Sequence, residues 1–297
     1  MHEASTFGKR FDSDTGVQIE KMMKIKQYTA NTVGRDFVVG DLHGCIDLFN
    51  TALDAINFDK SKDRMFSVGD LADRGPNSPA CMDLMFEPWF HAVRSNHGDL
   101  MSSFYNGEAI GVYNFIPNGG GWFTELDPTT MAKYVAADKA LPYVITVPMA
   151  QGCSKFHVIH AEFSTRKPLT DEILASKQVD FVRRVDLAGF EDCGDGPLIT
   201  WGRVIFRQFF YNNIASIGGH IFPRQHKEFF NSDLSHIYSG HTVMKMPTRY
   251  LGQTNIDTGA VFSSQDANFG LTITEPATDK FWKTNGHGTF EVDAIVV

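Results

Sequence analysis

The sequence predicts an α/β fold in which strands alternate with helices, followed by a strand-rich half that packs as a second sheet. Between residues 36 and 104, short apolar runs alternate with segments whose apolar residues have helical spacing. From about residue 143 onward, most patterned segments are strand-like. Because no repeat, low-complexity run or Pro/Ser-rich linker interrupts the chain, we expect one domain with two packed sheets.

The first half predicts parallel strands joined by helices. Ser78 and Pro79 stand where a helix cap and a first helical turn are expected. The expected elements are strands at residues 36–39, 64–68 and 89–93 and helices at 45–56, 78–86 and about 97–104.

The second half is predicted from shorter signals. Asp127 and Pro128 begin a helix that runs to about residue 140, and the glycine-rich residues 118–122 form a flexible turn beside the site. Residues 204–235, rich in aromatic side chains, are assigned as helix and loop. Residues 1–34 are assigned as an N-terminal arm on a single domain of residues 35–297. Strands are expected at residues 143–147, 156–159, 237–238, 250–255, 270–274 and 290–297.

Composition limits the kinds of partner. The 297 residues carry a formal charge of −8, which argues against nucleic acid as the main partner. No apolar run is long enough to span a bilayer, and residues 1–14 lack the apolar core of a signal peptide. We therefore expect a cytoplasmic protein without a membrane partner. The four cysteines show no disulfide or zinc spacing and are expected to be reduced.

Potential metal ligands follow the predicted strands. Asp41 and His43 come after the first strand, Asp70 after the second and Asn96 after the third. Because ligands bind at the carboxyl ends of parallel strands, these side chains are expected to converge. His160 and His241 follow later strands, whereas His157, three residues before His160, matches no motif. A mixed oxygen and nitrogen set without thiolates suits Mn, Fe or Zn, and six ligands serve two metals when one carboxylate bridges.

Basic side chains lie beside these motifs. Arg74, Arg94 and Arg203 are candidate phosphate ligands, because guanidinium groups match phosphate oxygens and stay charged. His97 is a candidate general acid for the leaving oxygen, and Asp73 is placed to orient it.

The order of these motifs resembles the metallophosphoesterases. The matching segments are Gly40-Asp41-Leu42-His43-Gly44, Gly69-Asp70, Asp73-Arg74-Gly75, Arg94 with Asn96-His97, His160-Ala161 and Gly240-His241-Thr242. Finer features at residues 88–90, 118–123, 201–203 and 256–262 resemble the small bacteriophage branch of the PPP serine/threonine phosphatases. The resemblance covers residues 37 to 274, nearly the whole chain apart from its ends.

The resemblance implies a sandwich of two mixed β-sheets flanked by helices, with two divalent metals at the strand ends. It implies Mn²⁺ first, with Fe or Zn as alternatives, and a phosphoprotein or phosphopeptide substrate hydrolysed by a metal-bridging hydroxide. Asp41, His43 and Asp70 would hold one metal, and Asp70, Asn96, His160 and His241 the other. Arg74, Arg94 and Arg203 would bind phosphate, and His97, supported by Asp73, would be the acid.

The chain departs from the family pattern at Gly98, where a glutamate is usual, at Ser95, where glycine is usual, and at Gly202. A carboxylate near the site is thus missing from its usual position. We hypothesise that the neighbouring Asp99 supplies it.

Two other functions remain open. Residues 75–78 resemble hydrolases of diadenosine tetraphosphate, and related enzymes act on nucleic-acid-end phosphates, although Asp73 favours a protein phosphatase. The Gly98 departure leaves a degenerate binding protein as a remote alternative.

Overall fold

The computed structural model describes residues 24–150, 154–163, 169–176, 198–203, 206 and 233–297. Most of residues 204–235, assigned as helix and loop, and most of the predicted N-terminal arm therefore lie outside the described residues. The strands are β1 (Ile25–Gln27), β2 (Asp36–Val39), β3 (Arg64–Ser67), β4 (Phe90–Ala92), β5 (Val144–Pro148), β6 (Lys155–Val158), β7 (His236–Ser239), β8 (Thr248–Tyr250), β9 (Gln253–Asn255), β10 (Leu271–Glu275), β11 (Lys280–Asn285), β12 (Gly288–Val292) and β13 (Ile295–Val296). The helices are α1 (Ile46–Ala55), α2 (Ser78–Asp83), α3 (Asn96–Tyr105), α4 (Ala109–Asn114), α5 (Pro128–Ala140), α6 (Asp171–Ser176) and α7 (Leu198–Trp201).

The strands form two mixed sheets, which confirms the predicted α/β sandwich. The six-stranded sheet has the order β12-β11-β10-β2-β3-β4, with β2, β3 and β4 parallel and β10 antiparallel to β2. The seven-stranded sheet has the order β1-β5-β6-β7-β9-β8-β13, with β6 parallel to β7. Part of the predicted arm, β1, is thus an edge strand of this second sheet.

Alternating side chains on each strand bury both faces of the six-stranded sheet. Val38 and Phe66 pack against Ile145 and Phe156 of the other sheet. Phe37, Val39 and Met65 point the opposite way and pack in the cluster that contains helical residues such as Phe49. The resulting layers are helix, sheet, sheet and helix, because Leu174 and Ile199 cover the outer face of the seven-stranded sheet.

Several predicted elements have different bounds in the structure. The predicted strand at 250–255 is a hairpin, because Leu251 and Gly252 both have positive φ and reverse the chain between β8 and β9. The predicted strand at 290–297 is divided, with β12 in one sheet and β13 in the other. Strand β11 was not predicted.

One helix cap also differs from the sequence-based prediction. The cap of α2 is Asn77, whose side chain accepts a hydrogen bond from the Ala80 amide, and not Ser78. Ser78 instead accepts the amide of Asp73 through its hydroxyl group. Asp127 caps α5 as predicted, with bonds from Thr129 and Thr130. Across the described ranges, every helix is too short or too polar to cross a bilayer.

Candidate metal centre

The predicted ligands lie in the loops that follow β2, β3, β4, β6 and β7. Parallel pairing of β2, β3 and β4 brings Asp41, Asp70 and Asn96 to one edge of the six-stranded sheet. His160 and His241 come from the neighbouring edge of the other sheet. The two edges meet directly, because His160 Nδ1 bonds the carbonyl oxygen of Val68 at 2.7 Å.

The backbone at this edge is strained. Non-glycine residues rarely adopt positive φ, and such strain concentrates at functional sites. In the described part of the chain, eight non-glycine residues have positive φ, and five of them are predicted site residues. These five are His43 (43°), Asp70 (44°), Asp73 (74°), Arg74 (70°) and His241 (68°).

Asp70 lies at the centre of the cluster. Its Oδ2 is 3.5 Å from His43 Nε2, 3.5 Å from His160 Nε2 and 3.9 Å from His97 Nε2. Burial opposes ionisation of Asp70, and positive charge beside it, from a protonated imidazole such as that of His160, would hold its pKa well below the usual range. Two groups have ligand atoms within 4.8 Å of one another, namely His43, Asp70 and His97, and Asp70, His160 and His241. Asp70 is shared by both, as a bridging ligand would be.

The hydrogen bonds of the His43 and His160 imidazoles indicate that a cation, rather than additional protons, would lie between them and Asp70. His43 Nδ1 and His160 Nδ1 each bond a backbone carbonyl oxygen, which can only accept, so both Nδ1 atoms carry hydrogen. Burial lowers the pKa of both residues, that of His43 to about 3, so each Nε2 presents a lone pair. Both lone pairs face the acceptor oxygens of Asp70, and that of His43 also accepts a hydrogen bond from Arg74. The lone pair of His160 also faces Asn96 Oδ1 at 2.7 Å. A divalent cation satisfies such a convergence of acceptors.

Asp41 adds a second carboxylate to this edge. It accepts the His241 amide at 3.2 and 3.1 Å through its two oxygens. Burial raises the pKa of Asp41, and the carboxylates of Asp257 and Asp70 raise it further. Burial also raises the pKa of Asp257, to about 6. Concentrated buried negative charge of this kind requires positive charge nearby, which metal ions would supply.

His97 is held in one orientation by Asp73. His97 Nδ1 lies 2.5 Å from Asp73 Oδ2, and the indole of Trp122 donates to the other oxygen, Oδ1, at 2.6 Å. His97 Nε2 remains directed toward the cluster, where Arg74 Nη2 donates to it at 2.8 Å. This is the arrangement of a histidine that exchanges a proton at Nε2.

Of the three predicted arginines, two lie at the opening of the cluster. Arg74 is exposed and also donates to His43 Nε2 at 2.9 Å. Its backbone lies against Gly119 (φ 99°), where a Cβ would come within 2.4 Å of the Arg74 nitrogen. The glycine-rich turn is therefore part of the site. Arg203 is exposed and donates to the His241 carbonyl oxygen at 2.7 Å.

Arg94 is held behind the cluster by Asp99. Arg94 Nε donates to Asp99 Oδ1 at 2.6 Å, and Thr200 Oγ1 donates to Asp99 Oδ2 at 3.3 Å. Asp99 therefore contacts Arg94, one of the predicted phosphate ligands. That Asp99 supplies the carboxylate missing at position 98 stays a prediction. His157, which matched no motif, is not part of this cluster and forms hydrogen bonds with Thr146 and Asp171.

Sequence reasoning missed the roles of Trp122, Asp257 and Asp138. Trp122 and Asp257 lie in segments whose family resemblance was noted, but their contacts with Asp73 and the Asp41 region depend on tertiary structure. For Asp138 the sequence carried a signal: it follows Tyr134 by four residues, a spacing that places both side chains on one face of a helix. In the structure that face of α5 is buried.

Fold and site together define a hydrolase of the metallophosphatase class, in which carboxylates and imidazoles that could hold metal ions converge beside a histidine and exposed arginines. The chain belongs to the calcineurin-like phosphoesterase family, whose model matches residues 37–245.

Curated relatives include protein phosphatases. Serine/threonine-protein phosphatase 1 of Salmonella typhimurium is 29% identical over 233 residues, which cover 77% of this chain and 88% of that protein. The symmetrical bis(5'-nucleosyl)-tetraphosphatase of Aggregatibacter actinomycetemcomitans is 45% identical, but over only 49 residues, 16% of this chain and 18% of that protein. A serine/threonine phosphatase structure from Saccharomyces cerevisiae shares the fold, with a TM-score of 0.54 and 14% identity over 92% of this chain and 84% of that one.

Proposed function

We propose that this metallophosphatase removes phosphate from phosphoserine and phosphothreonine in proteins or peptides, using two divalent ions, Mn²⁺ first. The observation that carries the proposal is the shared carboxylate of Asp70, with imidazoles on both sides and the Asp73–His97 pair next to it. Similarity to a serine/threonine phosphatase over most of both chains supports the substrate class. The finer motifs favour a likeness to bacteriophage lambda protein phosphatase within this class.

The ligand assignment follows the family resemblance. It shares Asp70 between two sets, and its first set has Asp41 where the first group of close ligand atoms has His97. Asp41, His43 and Asp70 would hold one ion, and Asp70, Asn96, His160 and His241 the other. When bound, two such ions neutralise phosphoryl oxygens and lower the pKa of water. Because Arg74 now donates to His43 Nε2, that nitrogen must release Arg74 to bind a metal.

His97 would deliver the proton that the leaving group needs. As the bond between phosphorus and the serine oxygen breaks, protonated His97 transfers its Nε2 proton to that oxygen, and the product is a neutral hydroxyl group. Asp73 holds Nδ1, and Trp122 holds Asp73, so the imidazole keeps one orientation during the transfer.

Arg74 and Arg203 would bind the phosphate dianion. Both residues are exposed overall, and their part-buried guanidinium groups contact His43 and the His241 carbonyl oxygen beside the cluster. A bound phosphate would attract Arg74 away from His97 Nε2, which frees that atom for proton transfer. Arg94, the third predicted phosphate ligand, is held by Asp99 and would act on the phosphate from the side where Asp99 lies.

Arg203→Ala is expected to raise KM and lower kcat, because guanidinium contacts bind both the substrate phosphate and the transition state. We expect a loss of about 10²-fold in kcat/KM, with metal content unchanged. Steady-state kinetics and metal analysis of the purified variant measure both. Arg249→Ala, which removes a distant ion pair with Asp279, is the matched control. Loss of metal with retained phosphate binding would contradict the assignment.

Hydrolysis of diadenosine tetraphosphate is the second candidate function. The local similarity to symmetrical tetraphosphatases supports it, although that similarity covers only 16% of this chain. Phosphate groups at nucleic-acid ends are a related possibility, which the net charge of −8 disfavours.

A substrate panel separates these functions. Phosphate release is measured from phosphoserine, phosphothreonine and phosphotyrosine peptides, 5'-phosphorylated oligonucleotides and diadenosine tetraphosphate, each with Mn²⁺. We expect phosphoserine and phosphothreonine peptides to have the highest kcat/KM. A preference for diadenosine tetraphosphate would overturn the substrate class, and no turnover of any substrate would support the degenerate binding protein.

A further inference from the structure

Gly98 is the place where this chain lacks the side chain that its family resemblance leads one to expect. It lies in the first turn of α3, directly after Asn96 and His97. A Cβ at this position would lie 2.1 Å from Asp138 Oδ1 and 2.7 Å from Asp138 Oδ2. The space beside Gly98 is therefore occupied by a carboxylate from another helix, α5, and glycine is needed to admit it.

Asp138 is buried where a carboxylate is costly. The residue is only 5% exposed, and within the described residues its Oδ2 has no hydrogen-bond partner. Burial raises the pKa of Asp138 to about 7, and the Arg94 guanidinium opposes that rise. A cavity of about 20 Å³, large enough for one water, lies beside it and is lined by Asp138, Asp70, Asp73 and His97. Packing alone does not explain a charged group here.

We propose that Asp138 is a positioning residue of the phosphatase site, which supplies from α5 the carboxylate that the motif lacks at Gly98. The inference rests on the proposed function and adds a residue to it. Asp138 acts through its neighbours in two ways. In its ionised form it stabilises the Arg94 guanidinium together with Asp99, and its carboxylate packs against the first turn of α3, which carries Asn96 and His97.

Asp99 and Asp138 have different parts in this arrangement. Asp99 holds Arg94 by a direct hydrogen bond of 2.6 Å, whereas Asp138 stabilises the same guanidinium without a hydrogen bond between them. The three atoms nearest to a Cβ at position 98 all belong to Asp138. Relocating its carboxylate to position 98 should therefore restore what its removal costs.

The test moves the carboxylate between the two helices. Asp138→Ala is expected to lower kcat for p-nitrophenyl phosphate and for a phosphoserine peptide by about 10-fold, a loss in the range for residues that orient ligands from outside the site. Gly98→Glu alone is expected to be at least as damaging, because its Cβ would collide with Asp138. The double variant G98E/D138A is expected to regain at least about a third of wild-type kcat, a non-additive result.

G98A/D138A is the matched control, because it relieves the same collision without restoring a carboxylate. It should remain as slow as Asp138→Ala. Recovery of G98A/D138A to the level of G98E/D138A would show that Asp138 only fills space, and wild-type kcat in Asp138→Ala would also overturn the proposal. Should Asp138→Ala fail to fold, Asp138→Asn keeps the shape, removes the charge and is expected to show the same loss.

A second measurement separates this proposal from the proposed function. Inorganic phosphate binding to the Mn²⁺-loaded variants, measured by calorimetry, should weaken about 10-fold in Asp138→Ala and recover in G98E/D138A. If the wild-type protein hydrolyses neither substrate, the proposed function fails, and phosphate affinity alone decides the role of Asp138. Equal phosphate affinity in all variants would then overturn it.

Discussion

Asp70→Asn is expected to remove bound metal and to lower phosphatase activity by about 10³-fold, the largest effect of any single substitution in this chain. Asp70 Oδ2 lies 3.5 to 3.9 Å from three imidazole nitrogens and belongs to both candidate ligand groups. Asparagine has nearly the same shape but no charge, so it cannot bridge two cations. Metal ions contribute several kcal/mol of transition-state stabilisation, and each 1.36 kcal/mol is tenfold in rate.

Asparagine can adopt the backbone conformation of Asp70, so the substitution tests the carboxylate and not the fold. Asp70 has a φ of 44°, and asparagine is one of the few residues that tolerate this left-handed conformation. The fold should therefore persist while metal content, measured by mass spectrometry after dialysis, falls. Asp266→Asn, at an exposed turn, is the control. Full metal occupancy together with wild-type kcat in Asp70→Asn would refute the bridging assignment.

His97→Ala is expected to reduce hydrolysis of phosphoserine far more than hydrolysis of p-nitrophenyl phosphate. A serine alkoxide is a poor leaving group that needs a proton, whereas p-nitrophenolate leaves readily without one. General acids contribute about 10²- to 10⁴-fold, so we expect about 10²-fold or more for a phosphoserine peptide and about 10-fold or less for the aryl ester. Comparing kcat for the two substrates measures the difference.

Two further variants sharpen this result. Asp73→Asn should shift the two substrates in the same direction by a smaller factor, because it weakens the orientation of His97. His287→Ala, at an exposed histidine, should leave both rates unchanged. Equal losses for both substrates in His97→Ala would count against the acid role. Loss of metal would instead assign His97 as a ligand, consistent with its place beside His43 and Asp70.

The sequence was sufficient wherever signals were local. Apolar runs identified β2, β3 and β4, and the polar residues that follow them are the ones that converge in the structure. The choice of His160 over His157 was also possible from the motif order. In the structure His160 lies beside Asp70, whereas His157 bonds Asp171. Strand ends and motif spacing are properties of short segments, so they can be read without knowing the fold.

The sequence was insufficient wherever the outcome depended on contacts between distant segments. Periodicity could not show that residues 288–296 divide between two sheets, because β13 is only two residues long and a pattern does not identify the strands with which a segment pairs. It could not show that Trp122 holds Asp73, a contact across 49 residues.

By itself, then, the sequence determined the fold class, the family resemblance and the set of candidate metal ligands, because these follow from local patterns and motif order. Only the tertiary structure decided which groups support that centre. Gly98 appeared in the sequence as a missing carboxylate, and the packing of α5 against α3 shows that Asp138 fills its place. No local pattern carries this information, because the position of a buried charge depends on how whole helices pack.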